Sequence, residues 1–417
     1  MAIEEHPLHS CRVLDLTDEK GFLCGKILAE LGMDVILIEP PGGHRARNIG
    51  PFYHDIPHPE KSLFWFGLNS SKKGITLNIE TKDGQEIFKK LIKKADFVIE
   101  SYLPGCLSKL GLGYTDLVNL NPRLVMVSIT PFGQKGPYSH YKATDLGITA
   151  MSGFMSFLGD PDRPPVRVSF PQSYMWGGAY AAMGALIAHH YQELAGEGQH
   201  VDVSIQAATG WAASHGPYFW KLGINTKREG VNVSGRSFKG AIFPGVHQCQ
   251  DGYLAWLIYG GRAGQVTNEE MVKWLDEHRM ATSYLKEKDW SVFDPGPCTQ
   301  EEFDQIFEPI SKFLHGLTKR KYLEEVTKRR ILGYPVSTAK DILENPQLQA
   351  RGVWKELEHP ELGDTITYPG SFAKFSELSS GIRHRAPLIG EHNEEIYLEE
   401  LGFSRDELTR LKEANII

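Results

Sequence analysis

The 417-residue sequence lacks the features that mark membrane, secreted and metal-binding proteins. No apolar run approaches the roughly 20 residues that a helix needs to span a bilayer. The first residues are acidic and contain no apolar core of a signal peptide. The five cysteines are scattered, form no CxxC pair and fit no zinc spacing. We therefore expect a cytoplasmic protein that contacts no membrane and holds no metal ion.

An excess of basic residues is absent as well. The chain has 45 Lys and Arg against 52 Asp and Glu, a net charge of -7, so nothing indicates a nucleic-acid partner. The turn after the first predicted strand has no GxGxxG pattern, so a nicotinamide cofactor is not indicated either. Hydrophobic residues make up 41 % of the chain and charged residues 23 %, which is ordinary for a globular protein.

Apolar runs alternate with helical patterns in the first half of the chain. Residues 12–16 and 34–39 form buried-strand patterns around a helix at 25–32, and such a βαβ unit predicts a parallel sheet. The pattern continues with strands at 74–78, 95–100, 124–129 and 201–205 and with helices at 83–94 and 173–194. This alternation is typical of an α/β, Rossmann-like doubly wound domain, in which ligands bind beyond the carboxyl ends of the strands.

The composition changes near residue 225, where glycines and short strands give way to charged helices. We expect a large domain at 1–224, a small central α+β domain at 225–336, and a return to the large domain at 337–417. The returning segment contains a predicted amphipathic helix at 339–349 and an amphipathic tail at 394–414.

Segments spread over nearly the whole chain have the form and the order of one enzyme family. They are RVLDLT, LGMDVILIEPPGG, LNSSKKGITLNI, ADFVIESYLPG, SITPFGQKGPY, GDPDRPPVRVS, GEGQHVDVSI, ENPQLQARGVW and APLIGEHN. The chain resembles the family III CoA-transferases, which include formyl-CoA transferase and carnitine CoA-transferase. The resemblance implies a large domain built from both chain ends, a small central domain and an interlocked dimer with active sites between the domains. It also implies a CoA thioester as substrate and no permanently bound cofactor.

Tyr174 stands where the family has its catalytic nucleophile, an aspartate. Transfer between two acids proceeds through an enzyme carboxylate that attacks the thioester and forms a mixed anhydride. A carboxyl is ionised at pH 7, whereas a phenol with a pKa near 10 is not. The resemblance therefore implies a chain without the reactive group of its family, and the catalytic set is expected to be empty. Tyr174 itself fills space, caps a helix or replaces the nucleophile, or else it is not the equivalent of that aspartate.

The same resemblance implies five positions that contact CoA. Arg47 matches an arginine that holds the CoA phosphates, and Lys72 matches a lysine beside the adenine. Ser101 and Tyr102 replace an Asn-Phe pair along the nucleotide, and Lys109 stands where the family has an arginine near the 3'-phosphate. Cations suit this role because CoA carries several phosphate charges. Each cation is alternatively a solvated surface charge.

Two loops depart from the family pattern. Residues 18–20 (Asp-Glu-Lys) form a shorter and more acidic loop where the family approaches CoA, and carboxylates there repel phosphates. The loop at 259–265 interrupts a run of family glycines with Arg262 and Ala263. Its remaining glycines either permit movement or form a turn.

These features favour a subunit of a heteromeric transferase, in which a paralogous partner carries the aspartate. The pattern is similar to a subunit of a two-subunit family member that moves CoA from succinyl-CoA to benzylsuccinate in anaerobic toluene degradation. An aryl acid would suit an aromatic pocket, although core packing is the commoner role of such side chains; the candidates are Trp65, Phe66, Trp176, Phe219 and Trp220.

The sequence leaves three other functions open. A stand-alone transferase would need another carboxylate, and Asp145 and Asp162 are the nearest in sequence. Asp145, however, begins a predicted helix and suits a cap. A racemase of this fold would need a His-Asp pair at the positions that Thr144 and Tyr174 occupy, so it is disfavoured. An acyl-CoA-binding scaffold without a partner enzyme is the remaining alternative.

Overall fold

The computed structural model describes residues 8–223, 228, 230, 232–233, 240–377 and 379–417. The β-strands in these ranges are β1 (Arg12–Leu16), β2 (Asp34–Glu39), β3 (Lys73–Thr76), β4 (Phe97–Glu100), β5 (Val125–Thr130), β6 (His200–Ser204), β7 (Asn232–Val233), β8 (Phe243–Pro244), β9 (Val246–Cys249), β10 (Gly252–Trp256), β11 (Gly333–Pro335), β12 (Trp354–His359) and β13 (Asp364–Pro369).

The α-helices in the same ranges are α1 (Phe22–Glu30), α2 (Leu63–Asn69), α3 (Lys82–Ile92), α4 (Cys106–Lys109), α5 (Tyr114–Leu117), α6 (Asp145–Met151), α7 (Gln172–Ala195), α8 (Ile205–Ala212), α9 (His215–Lys221), α10 (Gly261–Glu277), α11 (Ser283–Glu287), α12 (Gln300–His315), α13 (Lys319–Arg329), α14 (Ala339–Leu343), α15 (Pro346–Ala350) and α16 (Arg405–Glu413). A π-helix spans Glu395–Glu400.

The main sheet has six parallel strands in the order β3-β2-β1-β4-β5-β6. Strands β1 to β3 extend the sheet to one side and strands β4 to β6 extend it to the other, so the pair β1–β4 marks the topological switch point of a doubly wound fold. The predicted α/β, Rossmann-like architecture is confirmed. An interlocked dimer stays a prediction.

Both faces of this sheet are covered, which explains why its inner strands β2, β1, β4 and β5 are largely apolar runs rather than alternating ones. On one face, Leu14 of β1 packs in a cluster with Phe88 and Leu91 of α3. On the other face, Val13 packs with α1 and with the alanines of α7. Successive side chains of one strand therefore enter two different cores.

Small residues let α7 lie close to its neighbours. A Cβ on Gly178 would lie 2.8 Å from the Cβ of Leu23 and 3.1 Å from the backbone nitrogen of Cys24 in α1. A Cβ on Gly177 would lie 2.9 Å from Ile205. The glycines are thus required by the approach of α1 and α8, as the small-residue composition of this helix predicts.

The contacts divide the chain into two compact units. The first contains the residues up to Phe154, Arg167–Ser214 and Pro346–Ile417, and it holds the six-stranded sheet and the antiparallel β12–β13 hairpin. Returning residues such as Leu357 and Tyr368 share a core with Trp65 of α2. The large unit is therefore built from both ends of the chain.

The second unit contains Met155–Val166 and His215–Asn345. Its sheet has the antiparallel order β11-β10-β9, and a core with Trp256, Trp274 and Phe307 joins this sheet to α10, α12 and α13. The domain boundaries expected from sequence stay a prediction, and residues 224–227, at the first of them, lie outside the described part of the chain.

One predicted element is wrong. The single helix expected at 339–349 is two short helices, α14 and α15, because Pro346 has no backbone N–H and disfavours helical geometry at Asn345. In the part of the chain that the structure describes, no helix is long and apolar enough to cross a membrane.

Candidate functional site

Tyr174 lies in the first turn of α7 and is buried, with 8 % of its surface exposed. Its ring belongs to the core between the sheet and α7. Its hydroxyl oxygen accepts a hydrogen bond of 3.0 Å from the backbone N–H of Asp145. Because Asp145 is the first residue of α6, the phenol caps one of the free N–H groups at the start of that helix.

Asp145 in turn caps the helix that carries Tyr174. One carboxylate oxygen accepts hydrogen bonds from the backbone N–H (2.9 Å) and the hydroxyl (2.7 Å) of Ser173. The other accepts from Arg167 at 3.1 Å. Pro171, at the N-cap of α7, provides no side-chain cap, so Asp145 supplies it from another helix.

The surroundings of Tyr174 oppose ionisation of its phenol. Burial, and then the negative charge of Glu19, raise the pKa of Tyr174 to about 12. A nucleophilic phenolate would need the opposite shift. The geometry therefore gives Tyr174 the role of a neutral side chain that packs and caps.

Asp18 and Ser101 meet at the switch point, beyond the carboxyl ends of β1 and β4. The backbone N–H of Asp18 donates to the Ser101 hydroxyl at 2.8 Å, and that hydroxyl donates back to the Asp18 carboxylate at 2.8 Å. Burial of Asp18 opposes ionisation, but the charge of Lys20 together with hydrogen bonds from Lys20 and Ser101 keeps the pKa of Asp18 below its ordinary value. Arg45, which is largely exposed, forms ion pairs of 3.2 Å with both Asp18 and Glu19.

Glu100, the last residue of β4, lies directly before the predicted contact pair Ser101 and Tyr102. Its carboxylate accepts a hydrogen bond of 2.7 Å from the backbone N–H of Tyr102. Burial raises the pKa of Glu100 to about 7. Burial, followed by the charge of Glu100, raises the pKa of Tyr102 to about 12.

Arg47 is buried in an ion-pair network. Its guanidinium donates twice to Glu39 (both 2.7 Å), once to Glu60 (2.6 Å) and once to the carbonyl of Pro387 (2.9 Å). It also lies 3.9 Å from the ring centre of Trp65. Glu39 ends β2, so this arginine fastens the loop after β2 to the returning segment.

Lys72 is also fully buried. Its ammonium donates to the carboxylate of Asp15 (2.8 Å), the carbonyl of Phe22 (3.0 Å) and the side chain of Asn69 (2.9 Å). Burial lowers the pKa of Lys72, although Asp15 opposes the shift. The three acceptors match the three hydrogens of an ammonium group.

The five predicted CoA contacts thus fall into two sets. Ser101 and Tyr102 lie at the switch point, and Lys109 ends α4 shortly after them, with an exposed side chain. Arg47 and Lys72 are in the interior, each paired with a carboxylate. Their assignment as CoA contacts stays a prediction.

The glycines at 259–265 form the start of a helix. Gly260 is the N-cap of α10, and Gly261 has a φ of +68°. A Cβ on Gly264 would lie 1.9 Å from the carbonyl oxygen of Tyr259. The local backbone of the second unit thus accounts for the presence of glycine at each of these positions.

The aromatic candidates for a substrate pocket include both buried and exposed side chains. Trp65 and Phe66 are core residues of α2, whereas Trp176 and Trp220 are exposed. Among the described residues, no group of three or more His, Cys, Asp or Glu side chains has the geometry to hold a metal ion.

Sequence reasoning missed Glu60, which pairs with Arg47, and Arg167 and Ser173, which donate to Asp145. Glu60, Arg167 and Ser173 gave no periodic signal, because they act across long sequence separations. Glu100 had a readable signal: an acid that ends a continuous apolar strand lies at the carboxyl edge of a parallel sheet.

CoA-transferase family III matches residues 8–393, and the chain belongs to this family. It is 35 % identical over 414 residues to the BbsE subunit of succinyl-CoA:(R)-benzylsuccinate CoA-transferase from Thauera aromatica, with 96 % of this chain and 95 % of that protein covered. It is 30 % identical over 414 residues to succinyl-CoA–D-citramalate CoA-transferase from Chloroflexus aurantiacus, with 99 % and 98 % covered. A CAIB/BAIF family protein from Brucella suis has a similar crystal structure, with a TM-score of 0.79, 26 % identity, and 94 % of this chain and 99 % of that chain covered.

Proposed function

We propose that this chain is the non-catalytic subunit of a heteromeric family III CoA-transferase, and that a paralogous subunit supplies the catalytic aspartate. The observation that carries the proposal is Tyr174, a buried phenol at the family nucleophile position that accepts the N–H of Asp145. A residue committed to packing and capping is not a reacting group.

The chemistry of the reaction supports this assignment. An aspartate forms a mixed anhydride, which CoA thiolate then attacks in the second half of the reaction. A phenol would give an aryl ester instead, and only after losing a proton. Because the pKa of Tyr174 is raised to about 12, ionisation at pH 7 is roughly a hundred times rarer than for an ordinary tyrosine.

For the donor we propose succinyl-CoA, and for the acceptor benzylsuccinate. The names of both relatives above contain succinyl-CoA, and they differ in the second acid. The donor therefore has more support than the acceptor. The heteromer is proposed because BbsE is, by its name, one subunit of its enzyme.

We also propose that a CoA thioester contacts this chain at the switch point, through Ser101 and Tyr102, with Lys109 close to a phosphate. Open α/β sheets bind ligands at this place. The charges of Arg47 and Lys72 are already paired with carboxylates. These two residues therefore support the CoA contact indirectly, by holding the loops after β2 and α2.

A stand-alone transferase is the second candidate, with Asp145 as the substitute carboxylate. Its side chain is buried, and its oxygens accept three donors from Ser173 and Arg167. These contacts favour the capping role. Asp162 lies in the second unit and is exposed.

The test is succinyl-CoA-dependent CoA transfer to benzylsuccinate by this chain alone, by its encoded paralogue alone, and by the two co-expressed. The proposal expects activity in the mixture, with co-elution of the two chains. Activity of this chain alone would establish the stand-alone enzyme. CoA binding without co-elution would establish the scaffold function.

A further inference from the structure

A row of polar side chains crosses three neighbouring strands at the carboxyl end of the sheet. Glu100 of β4 is paired in register with Ser128 of β5, and the Ser128 hydroxyl favours the ionised form of Glu100 and so lowers the pKa of its carboxyl. Ser128 also lies 2.9 Å from the Nε2 atom of His200 in β6. Glu100 and Ser128 are buried, whereas His200 reaches the surface. The row therefore connects a buried acid to solvent.

The row borders a cavity of about 50 Å³, which has room for roughly three water molecules. Leu103, Leu107 and Met126 form its apolar wall, and Tyr114 stacks on His200 at 5.4 Å. The side-chain nitrogen of Gln134, another lining residue, is buried and has no hydrogen-bond partner among the described residues. The side chains that line this cavity in the described part of the chain include no lysine or arginine.

The charges around Glu100 favour its protonated form. Burial raises its pKa to about 7, and the negative charges of Asp18, in the turn after β1, and Asp202, in β6, add to the shift. The Ser128 hydroxyl and the Tyr102 N–H act in the opposite direction. Burial lowers the pKa of His200, although Asp202 opposes this, so the imidazole is mainly neutral at pH 7. Glu100 is thus the member of the row that changes charge near neutrality.

Glu100 also holds the turn at the switch point. Its carboxylate accepts the Tyr102 N–H, and the adjacent Ser101 exchanges hydrogen bonds with Asp18. An ionised acceptor binds an N–H more strongly than a neutral one. The charge of Glu100 therefore sets how firmly the turn is held.

We propose that Glu100 is a positioning residue for the Asp18–Ser101–Tyr102 turn, and that gain or loss of its proton changes the affinity of this turn for a CoA thioester. The inference rests on the proposed CoA contact at this turn. It goes beyond that contact by naming the group that regulates it.

The proton step is an exchange with solvent. One proton binds to the Glu100 carboxylate as the pH falls, and the carboxyl becomes neutral and can then donate as well as accept a hydrogen bond.

The experiment is hydrogen exchange of the stretch 97–110 in the full-length chain co-expressed with its partner, measured by mass spectrometry from pH 6 to pH 8 and corrected for intrinsic exchange. In the native protein, protection of this stretch should rise roughly fivefold over the range, as expected when a neutral hydrogen bond becomes a charged one. In Glu100→Gln it should not change with pH. In Ser128→Ala the midpoint should move to higher pH, because the Ser128 hydroxyl lowers the pKa of Glu100 in the native protein. Glu197→Gln, an exposed acid outside the row, is the matched control.

Addition of succinyl-CoA separates this inference from the proposed function. The expected result is extra protection of the stretch, with a Kd roughly fivefold lower at pH 8 than at pH 6. Extra protection that is equal at both pH values and unchanged in Glu100→Gln would overturn the inference and leave the CoA contact intact. No extra protection at any pH would overturn the CoA contact and the affinity change together. Should Glu100→Gln fail to fold, pH-independent protection of the native protein by itself overturns the inference.

Discussion

Asp145 and Tyr174 cap each other's helices. The Asp145 carboxylate accepts the N–H and hydroxyl of Ser173 at the start of α7, and the Tyr174 phenol accepts the N–H of Asp145 at the start of α6. Twenty-nine positions separate the two residues in the chain. The position that the resemblance assigns to the family nucleophile is therefore a junction between two helices in this chain, which is the physical basis for proposing a structural role for it.

Replacement of Tyr174 by Phe tests that role directly. Tyr174→Phe keeps the ring in the core but leaves the Asp145 N–H without its acceptor, so the free energy of unfolding should fall by about 1 kcal/mol. CoA transfer by the co-expressed pair should not change. Urea unfolding and a transfer assay measure the two effects. Tyr180→Phe, on the same helix, is the matched control, and a large loss of transfer in Tyr174→Phe alone would show that the phenol reacts.

Restoring the family carboxylate should not restore the enzyme. Tyr174→Asp places a new carboxylate beside Glu19 and Asp18, whose charges already act on this position, and it removes the acceptor of the Asp145 N–H. We expect this chain alone to reach no more than about a tenth of the activity of the co-expressed pair, since a nucleophile outside a preorganised site gains little. Full activity from the single change would show that the acidic loop and Arg262 are incidental.

Two glycine-to-alanine substitutions should change the free energy of unfolding in opposite directions, because α7 packs closely on α1 whereas Gly67 in α2 faces open space. Gly178→Ala inserts a methyl group 2.8 Å from the Leu23 side chain, and the free energy of unfolding should fall by about 1–3 kcal/mol. Gly67→Ala in α2 meets nothing within 4 Å and should raise it by up to about 1 kcal/mol. Thermal or urea unfolding of the two variants side by side measures both. Equal changes in the free energy of unfolding of the two variants would mean that the α1–α7 contact is looser than described.

The second unit should lose stability in acid through His247. This histidine is buried beside Trp256 and Phe307, and burial lowers its pKa to about 4. Between pH 6.5 and pH 4 the unfolded chain binds more protons at this position, so the free energy of unfolding falls as the pH is lowered through this window, by roughly 2–3 kcal/mol. His247→Phe should flatten that part of the pH profile. A profile identical to that of the native protein would contradict the assignment.

Local patterns predicted the inner strands of the main sheet because β1, β2, β4 and β5 are largely apolar runs between turn residues. The expected limits of β1 and β2 coincide with Arg12–Leu16 and Asp34–Glu39. The predicted helix at 339–349 failed because periodicity outweighed the proline within it. Because the residue before a proline disfavours helical geometry, Pro346 by itself predicts two helices in this stretch.

The candidate site was less predictable because its decisive contacts are long-range. Arg47 and Lys72 resemble phosphate ligands in sequence, but whether a cation is free or paired depends on Glu60, Pro387 and Asp15, which lie far from it in the chain. The capping of α6 by Tyr174 likewise joins two helices that no periodicity links. The resemblance predicts that Tyr174 occupies the nucleophile position, and this stays a prediction, while the contacts around Tyr174 are evident only in the folded structure.

The most direct measurement of the central claim is intact mass spectrometry of the co-expressed complex after reaction with succinyl-CoA, with the acyl adduct trapped by hydroxylamine or borohydride. The account predicts an adduct on the paralogous subunit and none on this chain, in the native complex and in Tyr174→Phe alike. An adduct on this chain, mapped to Tyr174, Asp145 or any other side chain, would contradict it.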